Sequence, residues 1–271
     1  MRQLYYTALL LTGCAVATAQ QVEAPPPASP ITDRFSARVS YYAGTASTNG
    51  HVTDSNSAVA GTPFSLENDL GLPSNLGQGR VELIFRLRER GRLRVDMWQL
   101  NRRTVAAPDT TIVYGNILLT PADQVESIFV WRQMDFTWTY SFLRGRRYEL
   151  GAGLGMHLIQ GESEERVAAR GAEYLFTGAG PFGTVALDGT WLINRRFALC
   201  ARAQYMNTSW NSKSGMLGDY HVDVQFRWLP NLAVGLGYAS TKERIEVRDS
   251  NPNGEMQLDI HGGELFVRAS F

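Results

Sequence analysis

Apolar residues recur at every second position over most of this chain, from Phe35 to Phe271. In the clearest run, one parity carries Ile128, Val130, Met134, Phe136, Trp138, Tyr140 and Phe142. The alternate positions carry mainly Ser, Thr, Gln and Asp, and three residues depart from the pattern: Phe129, Trp131 and Arg132. A period of two is that of a β-strand, whose side chains point alternately to opposite faces. The pattern therefore predicts strands with one apolar and one polar face.

The links between these strands alternate between short and long. Short links lie at residues 89–91, 143–147, 193–196 and 229–231, and longer links lie near 45–78, 104–124, 160–179, 207–215 and 247–255. Short periplasmic turns and longer external loops are typical of bacterial membrane β-barrels, which have an even number of strands. We predict an all-β fold, a single up-and-down antiparallel transmembrane barrel of ten strands, with eight or twelve as alternatives. Residues 62–73 and 111–120 could each be loop, plug or an additional strand.

Several aromatic residues lie near the short-link ends of the predicted strands: Tyr140, Phe142, Trp191, Phe197 and Trp228. An aromatic girdle is typical of barrel residues that meet a membrane interface. After the N-terminal segment, no run of about 20 apolar residues could cross a bilayer as a helix. A soluble β-sandwich is the architectural alternative, and it requires the apolar parity to be buried inside.

Several segments carry a resemblance to known proteins. Residues 61–72 read GTPFSLENDLGL and precede a strand, an Arg-rich turn and another strand, and further similar features lie at 140–142 and 148–155. Together they resemble a group of functionally uncharacterised proteobacterial outer-membrane β-barrel proteins. The last strand, Leu265 to Phe271, resembles the C-terminal strand that the barrel-assembly machinery recognises in Gram-negative outer-membrane proteins. The resemblance implies a barrel in the outer membrane of a Gram-negative bacterium, and it implies no activity.

The N-terminus has the pattern of an export signal. Met1 and Arg2 precede a largely apolar stretch, and residues 17–19 supply the small residues that a signal peptidase requires. We predict a signal peptide at 1–19, a flexible Pro-rich periplasmic lead-in at 20–33 and the barrel at 34–271. Residues 11–14 also match a lipobox, so Cys14 is either lipidated or removed. If it is removed, Cys200 has no disulfide partner.

The charged residues are predicted to face inward. The chain carries 26 Lys+Arg and 26 Asp+Glu, so no net positive charge is available to attract nucleic acid. The interior of a ten-stranded barrel is narrow, and charges on the polar parity are expected to pair across it and close the lumen. The predicted lumen charge network consists of Arg38, Glu82, Arg94, Asp96, Asp135, Glu149, Asp188, Arg202, Asp219, His221, Asp223 and Arg227.

Motifs for catalysis or metal binding are weak. His221 shares a strand face with Asp219 and Asp223, but an i, i+2 separation of about 7 Å is too long for a direct hydrogen bond in most rotamers. His157 has no acidic residue near it in sequence, and the acidic stretch 162–165 is interpreted as a solvated loop. No nucleophile motif of the Gly-x-Ser-x-Gly type and no Cys pair or His-x3-His spacing is present. We predict no catalytic residue, no metal site and no cofactor.

These observations predict a structural or surface-interaction protein with a closed lumen. Its expected partners are outer-membrane lipid, the barrel-assembly machinery through the strand ending at Phe271, and a surface partner of unknown identity. A narrow channel or small-ligand conduit is the alternative function, and an outer-membrane lipid hydrolase is a further one.

Overall fold

The computed structural model describes residues 29–210, 213–248 and 252–271. The predicted signal peptide, Cys14 and residues 20–28 of the lead-in lie outside the described residues. Ten long strands, numbered β1 to β10, make up the barrel wall. They are β1 (Phe35–Thr53), β2 (Asn75–Leu87), β3 (Gly91–Ala106), β4 (Val125–Arg144), β5 (Tyr148–Val167), β6 (Ala172–Leu192), β7 (Phe197–Trp210), β8 (Lys213–Leu229), β9 (Leu232–Val247) and β10 (Asn253–Ser270).

The ten strands form one closed antiparallel ring. Each strand pairs with its neighbours in sequence, and β1 pairs with β10 from Ser36↔Ser270 to Thr53↔Asn253. The predicted up-and-down barrel is confirmed with ten strands, and eight and twelve are excluded. Within the described ranges, the one helix is a 3-10 turn at Ala168–Arg170, and none is long and apolar enough to cross a membrane.

The strands are longer than the apolar pattern indicated. β5 and β6 are joined by residues 168–171 alone, so the link predicted at 160–179 is mostly strand. The acidic stretch 162–165 lies in β5, and its interpretation as a loop was wrong. Outward positions in this part of β5, such as Gln160, Glu162 and Glu164, are polar. Because both faces carry polar residues there, the alternation that marks a strand is lost.

The apolar parity of the strands faces outward. Leu154, Val39 and Val185 are 65%, 61% and 60% exposed. A soluble sandwich would bury these residues, so that alternative is wrong. On β5 the outward apolar positions run from Tyr148 to Leu158, which matches the 9–11 residues that a tilted strand needs to cross a bilayer. We call this outward apolar band, on the short-link side of the barrel, the membrane belt.

Beyond the membrane belt the outward positions become polar on most strands. On β9 the belt ends at Tyr238, after which Lys242 and Arg244 face outward. On β5 the belt ends at Leu158, after which Glu162 and Arg166 face outward. The remaining part of the barrel, on the long-link side, is called the protruding half.

The two uncertain stretches fold into the mouth of the protruding half and form a plug, defined as residues 54–74 and 107–124. Phe64–Ser65 adds a two-residue strand to β1, and Ile112–Tyr114 pairs with Ile117–Leu119 in a separate hairpin. Neither stretch therefore adds a strand to the barrel ring.

The plug holds an apolar core inside the barrel. Its buried side chains include Phe64, Leu66, Leu70, Leu72, Ile112, Tyr114 and Leu119. Phe129 and Trp131 of β4 face inward and belong to the same cluster. Their departure from the polar parity therefore marks the depth at which the lumen changes from polar to apolar.

The described end of the lead-in, residues 29–33, lies at the opposite mouth. Of residues 20–33, the structure describes 29–33, and these are held against the barrel. Asp33 Oδ2 lies 3.1 Å from Arg268 Nη2 and 3.6 Å from Arg227 Nη2. The Pro30 carbonyl accepts a hydrogen bond from Arg86 at 3.1 Å, and Ile31 is buried.

Candidate functional site: the charged lumen

The strands place all twelve predicted lumen residues on inward faces, because each lies on the parity opposite the membrane belt. Ten are buried as whole residues, and the side chains of Arg94 and Arg202 are only 12% and 9% exposed. Their charged groups form ion pairs with one another and with further residues. The residues they bring in are Asp33, Arg80, Arg86, Arg92, His157 and Glu264.

Two arginines link the carboxylates at the centre of the lumen. Arg80 Nε lies 2.7 Å from Asp96 Oδ1, and Arg80 Nη2 lies 3.7 Å from Asp219 Oδ2. Arg202 lies 3.1 Å from the other oxygen of Asp96 and also pairs with Glu82. These pairs join β2, β3, β7 and β8 across the interior. Each buried charge therefore has an opposite charge within reach, as burial of an ion requires.

His221 sits within this centre and is bound by both arginines. Its Nε2 lies 2.8 Å from Arg80 Nη1 and 3.1 Å from Arg202 Nη2. A guanidinium can only donate, so Nε2 must accept and the ring proton resides on Nδ1. Nδ1 lies 3.5 Å from Glu264. Asp219 Oδ1 lies 3.4 Å from Nε2. Because both atoms are acceptors in this arrangement, the contact is a close approach and not a direct hydrogen bond.

The wall next to this centre holds Arg38. Its guanidinium pairs with Asp223 at 2.9 Å and with Glu264, and it stacks over the Phe266 ring at 3.5 Å from the ring centroid. An arginine over an aromatic face gains a cation–π attraction in addition to its ion pairs. Arg38 is thus fixed on three sides.

A second cluster lies toward the short-link end. Glu149 accepts hydrogen bonds from Arg86 at 2.7 and 2.9 Å and from the Ser141 hydroxyl at 2.5 Å. Arg92 bridges Glu149, at 3.6 Å, to Asp188. The sequence reasoning missed Arg92, although it shares the parity of Arg94 two residues later.

His157 also has an acidic partner that its own sequence neighbourhood does not contain. Asp135 faces it across the β4–β5 ladder, with Oδ1 2.6 Å from Nδ1. Gln204 Oε1 lies 3.1 Å from Nε2. His157 has no acidic residue near it in sequence, and it gains Asp135 because antiparallel pairing brings β4 alongside β5.

Two buried acids of the protruding half were not predicted. Glu165 of β5 and Glu243 of β9 both face inward beyond the membrane belt and are almost fully buried. Burial raises the pKa of each carboxyl to about 8. The Ser127 hydroxyl donates a hydrogen bond to Glu165 and opposes this rise. Glu165 continues the inward parity of Glu149 and His157, and this signal could have identified it.

The plug is joined to the wall through Glu67. Its carboxylate accepts a hydrogen bond from the Thr48 backbone N–H at 2.7 Å and pairs with Arg102 of β3. Arg102 in turn lies 4.9 Å from the Phe129 ring centroid. Within the described ranges, no group of three or more His, Cys, Asp or Glu side chains is arranged to hold a metal ion.

Comparison with known proteins identifies the fold. No protein-family model and no curated protein sequence matches the chain. Among solved structures, the outer membrane protease OmpT from Escherichia coli is similar at a TM-score of 0.56 and 11% identity, covering 88% of this chain and 96% of OmpT. OprG from Pseudomonas aeruginosa is 9% identical at a TM-score of 0.39, covering 88% of this chain and 95% of its own. Ail from Yersinia pestis is 9% identical at a TM-score of 0.30, covering 85% and 97%. The chain thus shares the fold of Gram-negative outer-membrane β-barrel proteins.

Proposed function

We propose that this protein is an outer-membrane barrel with a closed, charge-paired lumen, acting as a structural or surface-interaction protein. The observation that carries the proposal is that the interior is blocked at three levels between its two mouths. Residues 29–33 lie at one end, the lumen charge network in the middle and the plug at the other end. The cavity among the lumen charges measures about 50 Å³, which holds a few water molecules at most. A diffusion pore requires a continuous water-filled path, which a barrel of this size does not provide.

The protruding half is the surface that we propose for interaction. A strand of the length of β5 extends about 65 Å at roughly 3.3 Å per residue, about twice what the membrane belt uses. Outward ion pairs cover this part, including Arg132–Glu162 at 3.0 Å and Lys242–Asp259 at 3.1 Å. Such a polar collar can remain in water while the belt is in lipid.

Planar-bilayer recording tests the closed lumen. Barrel insertion is first verified by the faster migration of unboiled protein in gel electrophoresis. We expect a silent bilayer from inserted wild-type barrel. Discrete conductance steps that change in size in Arg202→Gln would overturn the proposal and establish the alternative function, a narrow conduit.

Epitope insertion tests the location and the orientation. A tag placed after Arg170, in the exposed turn between β5 and β6, is expected to bind antibody on intact cells. The control is a tag after Arg195, in the short link between β6 and β7, which is expected to bind only after the outer membrane is permeabilised. The reverse result would contradict the proposed orientation, and labelling of neither tag would contradict insertion.

We propose that the barrel is not a hydrolase, although OmpT, which shares its fold, is a protease by name. The support is the environment of His221, whose Nε2 already accepts from Arg80 and Arg202 and which is only 5% exposed. A general base needs a free acceptor within reach of substrate. Release of product from fluorescent peptides or phospholipid vesicles by wild type, and its loss in His221→Asn, would refute this part of the proposal.

We propose that the barrel-assembly machinery recognises the strand ending at Phe271. This aromatic side chain is 68% exposed at the edge of the membrane belt, beside Phe35. Deletion of Phe271 is expected to lower the amount of heat-modifiable barrel in membranes. Trp228→Ala is the control, because Trp228 is equally exposed at the same edge; an equal loss in both variants would contradict the assignment.

We also propose that the chain belongs to the group of outer-membrane proteins that it resembles in sequence. The segment carrying the resemblance, residues 61–72, lies in the plug, where Phe64, Leu66 and Leu70 are buried. A structure of another member is expected to place this segment inside its barrel mouth. An external position for the segment would contradict the assignment.

A further inference from the structure

The barrel wall is divided between β6 and β7 in the protruding half. Pairing of these strands begins at Leu192↔Ala198 and, among the described residues, ends at Val185↔Tyr205. Beyond this point β6 continues along β5, and β7 continues along β8. A cleft therefore opens between the two strands directly above Val185 and Tyr205.

The sequence of β6 suits an unpaired edge. Pro181 has no backbone N–H, and proline in a sheet is confined largely to edges and bulges. Gly178 and Gly180 share the inward parity of Thr184 and Ala186, so two successive inward positions carry no side chain. A Cβ at Gly178 would meet no atom within 4 Å, and one at Gly180 would meet only the Phe182 ring at 3.7 Å. The space behind this part of β6 is therefore unfilled.

Two adjoining cavities occupy that space, with volumes of about 290 and 370 Å³. They share Gly178, Ala179, Ile245 and Val247 in their linings, and the second extends from β6 across to Met206 of β7. Their linings include Phe129, Trp131 and Ile159. Phe176 and Phe182, which share the inward parity of Gly178 and Gly180, line them from β6. Volumes of this size and apolar linings are typical of small-molecule sites.

The chemistry of the lining selects an uncharged ligand. Glu162 is the one charged side chain among the described residues that line the two cavities, and it faces outward, paired with Arg132. A charged ligand buried here would have no partner, and burial of an unpaired charge is strongly unfavourable. An apolar ligand would replace water against Phe, Trp, Ile and Met side chains.

The position of the cleft indicates the route of entry. Its lower rim, Val185 and Tyr205, is also the upper edge of the membrane belt, and these side chains are 60% and 45% exposed. The apolar surface that contacts lipid is thus continuous with the apolar lining of the cavities. A molecule dissolved in the outer leaflet could reach the cavities sideways without passing the lumen charge network.

We propose that the cleft between β6 and β7 is a lateral binding site for one small apolar molecule, a hydrocarbon chain or ring, taken up from the outer leaflet. The site lies above the lumen charge network and requires no conduction through the barrel. It therefore extends the proposed closed scaffold, and the two proposals are tested separately. Conductance through the barrel would contradict the closed lumen alone, and absence of ligand binding would contradict the lateral site alone.

Titration with the apolar fluorophore 1-aminoanthracene tests the proposal. The folded full-length mature barrel is held in amphipol, and the fluorescence of empty amphipol is subtracted. We expect saturable binding at one site, and we expect Gly178→Phe to weaken it at least about tenfold by filling the cavity. Gly180→Leu fills the same space from a second position. It replaces Gly178→Phe as the cavity-filling variant if Gly178→Phe fails to fold. Gly79→Phe is the control, since Gly79 faces outward on β2 with no atom within 4 Å of a Cβ.

Three results would overturn the proposal. The first is the absence of saturable binding, and the second is unchanged affinity in the folded cavity-filling variants. The third is binding in amphipol that disappears in lipid nanodiscs, because the occupant would then be a lipid tail rather than a free small molecule. Retained binding in nanodiscs, weakened by Gly178→Phe and unchanged by Gly79→Phe, supports it.

Discussion

Glu165→Gln is expected to make the stability of the barrel less dependent on pH. Glu165 is fully buried in the protruding half, and burial raises its pKa from 4.5 to about 8. Between these values the unfolded chain ionises this carboxyl while the folded chain keeps it protonated. The folded state then binds more protons, so the free energy of unfolding falls as pH rises from about 4.5 to about 8 and levels off above that. Glutamine keeps a neutral side chain of similar shape and removes this contribution.

The magnitude follows from the two pKa values. Each pKa unit corresponds to about 1.4 kcal/mol, and integration from pH 5 to pH 9 gives about 4 kcal/mol as the loss that Glu165 contributes. The difference in free energy of unfolding between Glu165→Gln and wild type is thus expected to grow by up to that amount over this interval. Glu243 has the same raised pKa, so part of the pH dependence remains in the variant.

Urea unfolding in detergent micelles, followed by tryptophan fluorescence and by the heat-modifiable band, measures this effect at pH 5 and pH 9. Glu162→Gln is the matched control, because Glu162 lies on the same strand and faces outward in an ion pair with Arg132. The control is expected to follow the wild-type pH dependence. The reasoning is refuted if Glu165→Gln and wild type lose the same free energy between the two pH values.

Three further predictions concern the interior. Leu66 is fully buried in the plug, and Leu66→Ala is expected to lower the free energy of unfolding by about 2–5 kcal/mol, seen as a lower urea midpoint; an unchanged midpoint would show that the plug is not packed. Glu149→Ala leaves Arg86 and Arg92 without their shared carboxylate, and a loss of about 3–5 kcal/mol is expected by the same assay; wild-type stability would contradict the pairing. Cys200 is a free cysteine on the lumen face, and a charged thiol reagent is expected to label it slowly in the folded mature barrel and rapidly in urea. Equal labelling rates would contradict a closed interior.

The candidate site could be predicted in part. Parity alone placed Arg38, Asp96 and Asp188 inside the barrel, because the direction of a side chain in a strand depends only on its position in that strand. The partners of these residues could not be read in the same way. The Asp135–His157 pair is the clearest case, since it depends on the register between β4 and β5. Register depends on the links and on both strands together.

The sequence by itself determined the up-and-down barrel and the faces of its strands, and the structure decided among eight, ten and twelve strands. In lipid every backbone polar group needs a partner, so a chain of alternating strands with an apolar outer face has the closed barrel as its solution. Only the tertiary structure decided that residues 62–73 and 111–120 fill the mouth, and that β6 and β7 separate above Val185. The inward Phe129 and Trp131 hinted at the plug, and Pro181 was compatible with an edge. Plug and cleft both depend on contacts between residues distant in sequence, which local periodicity does not encode.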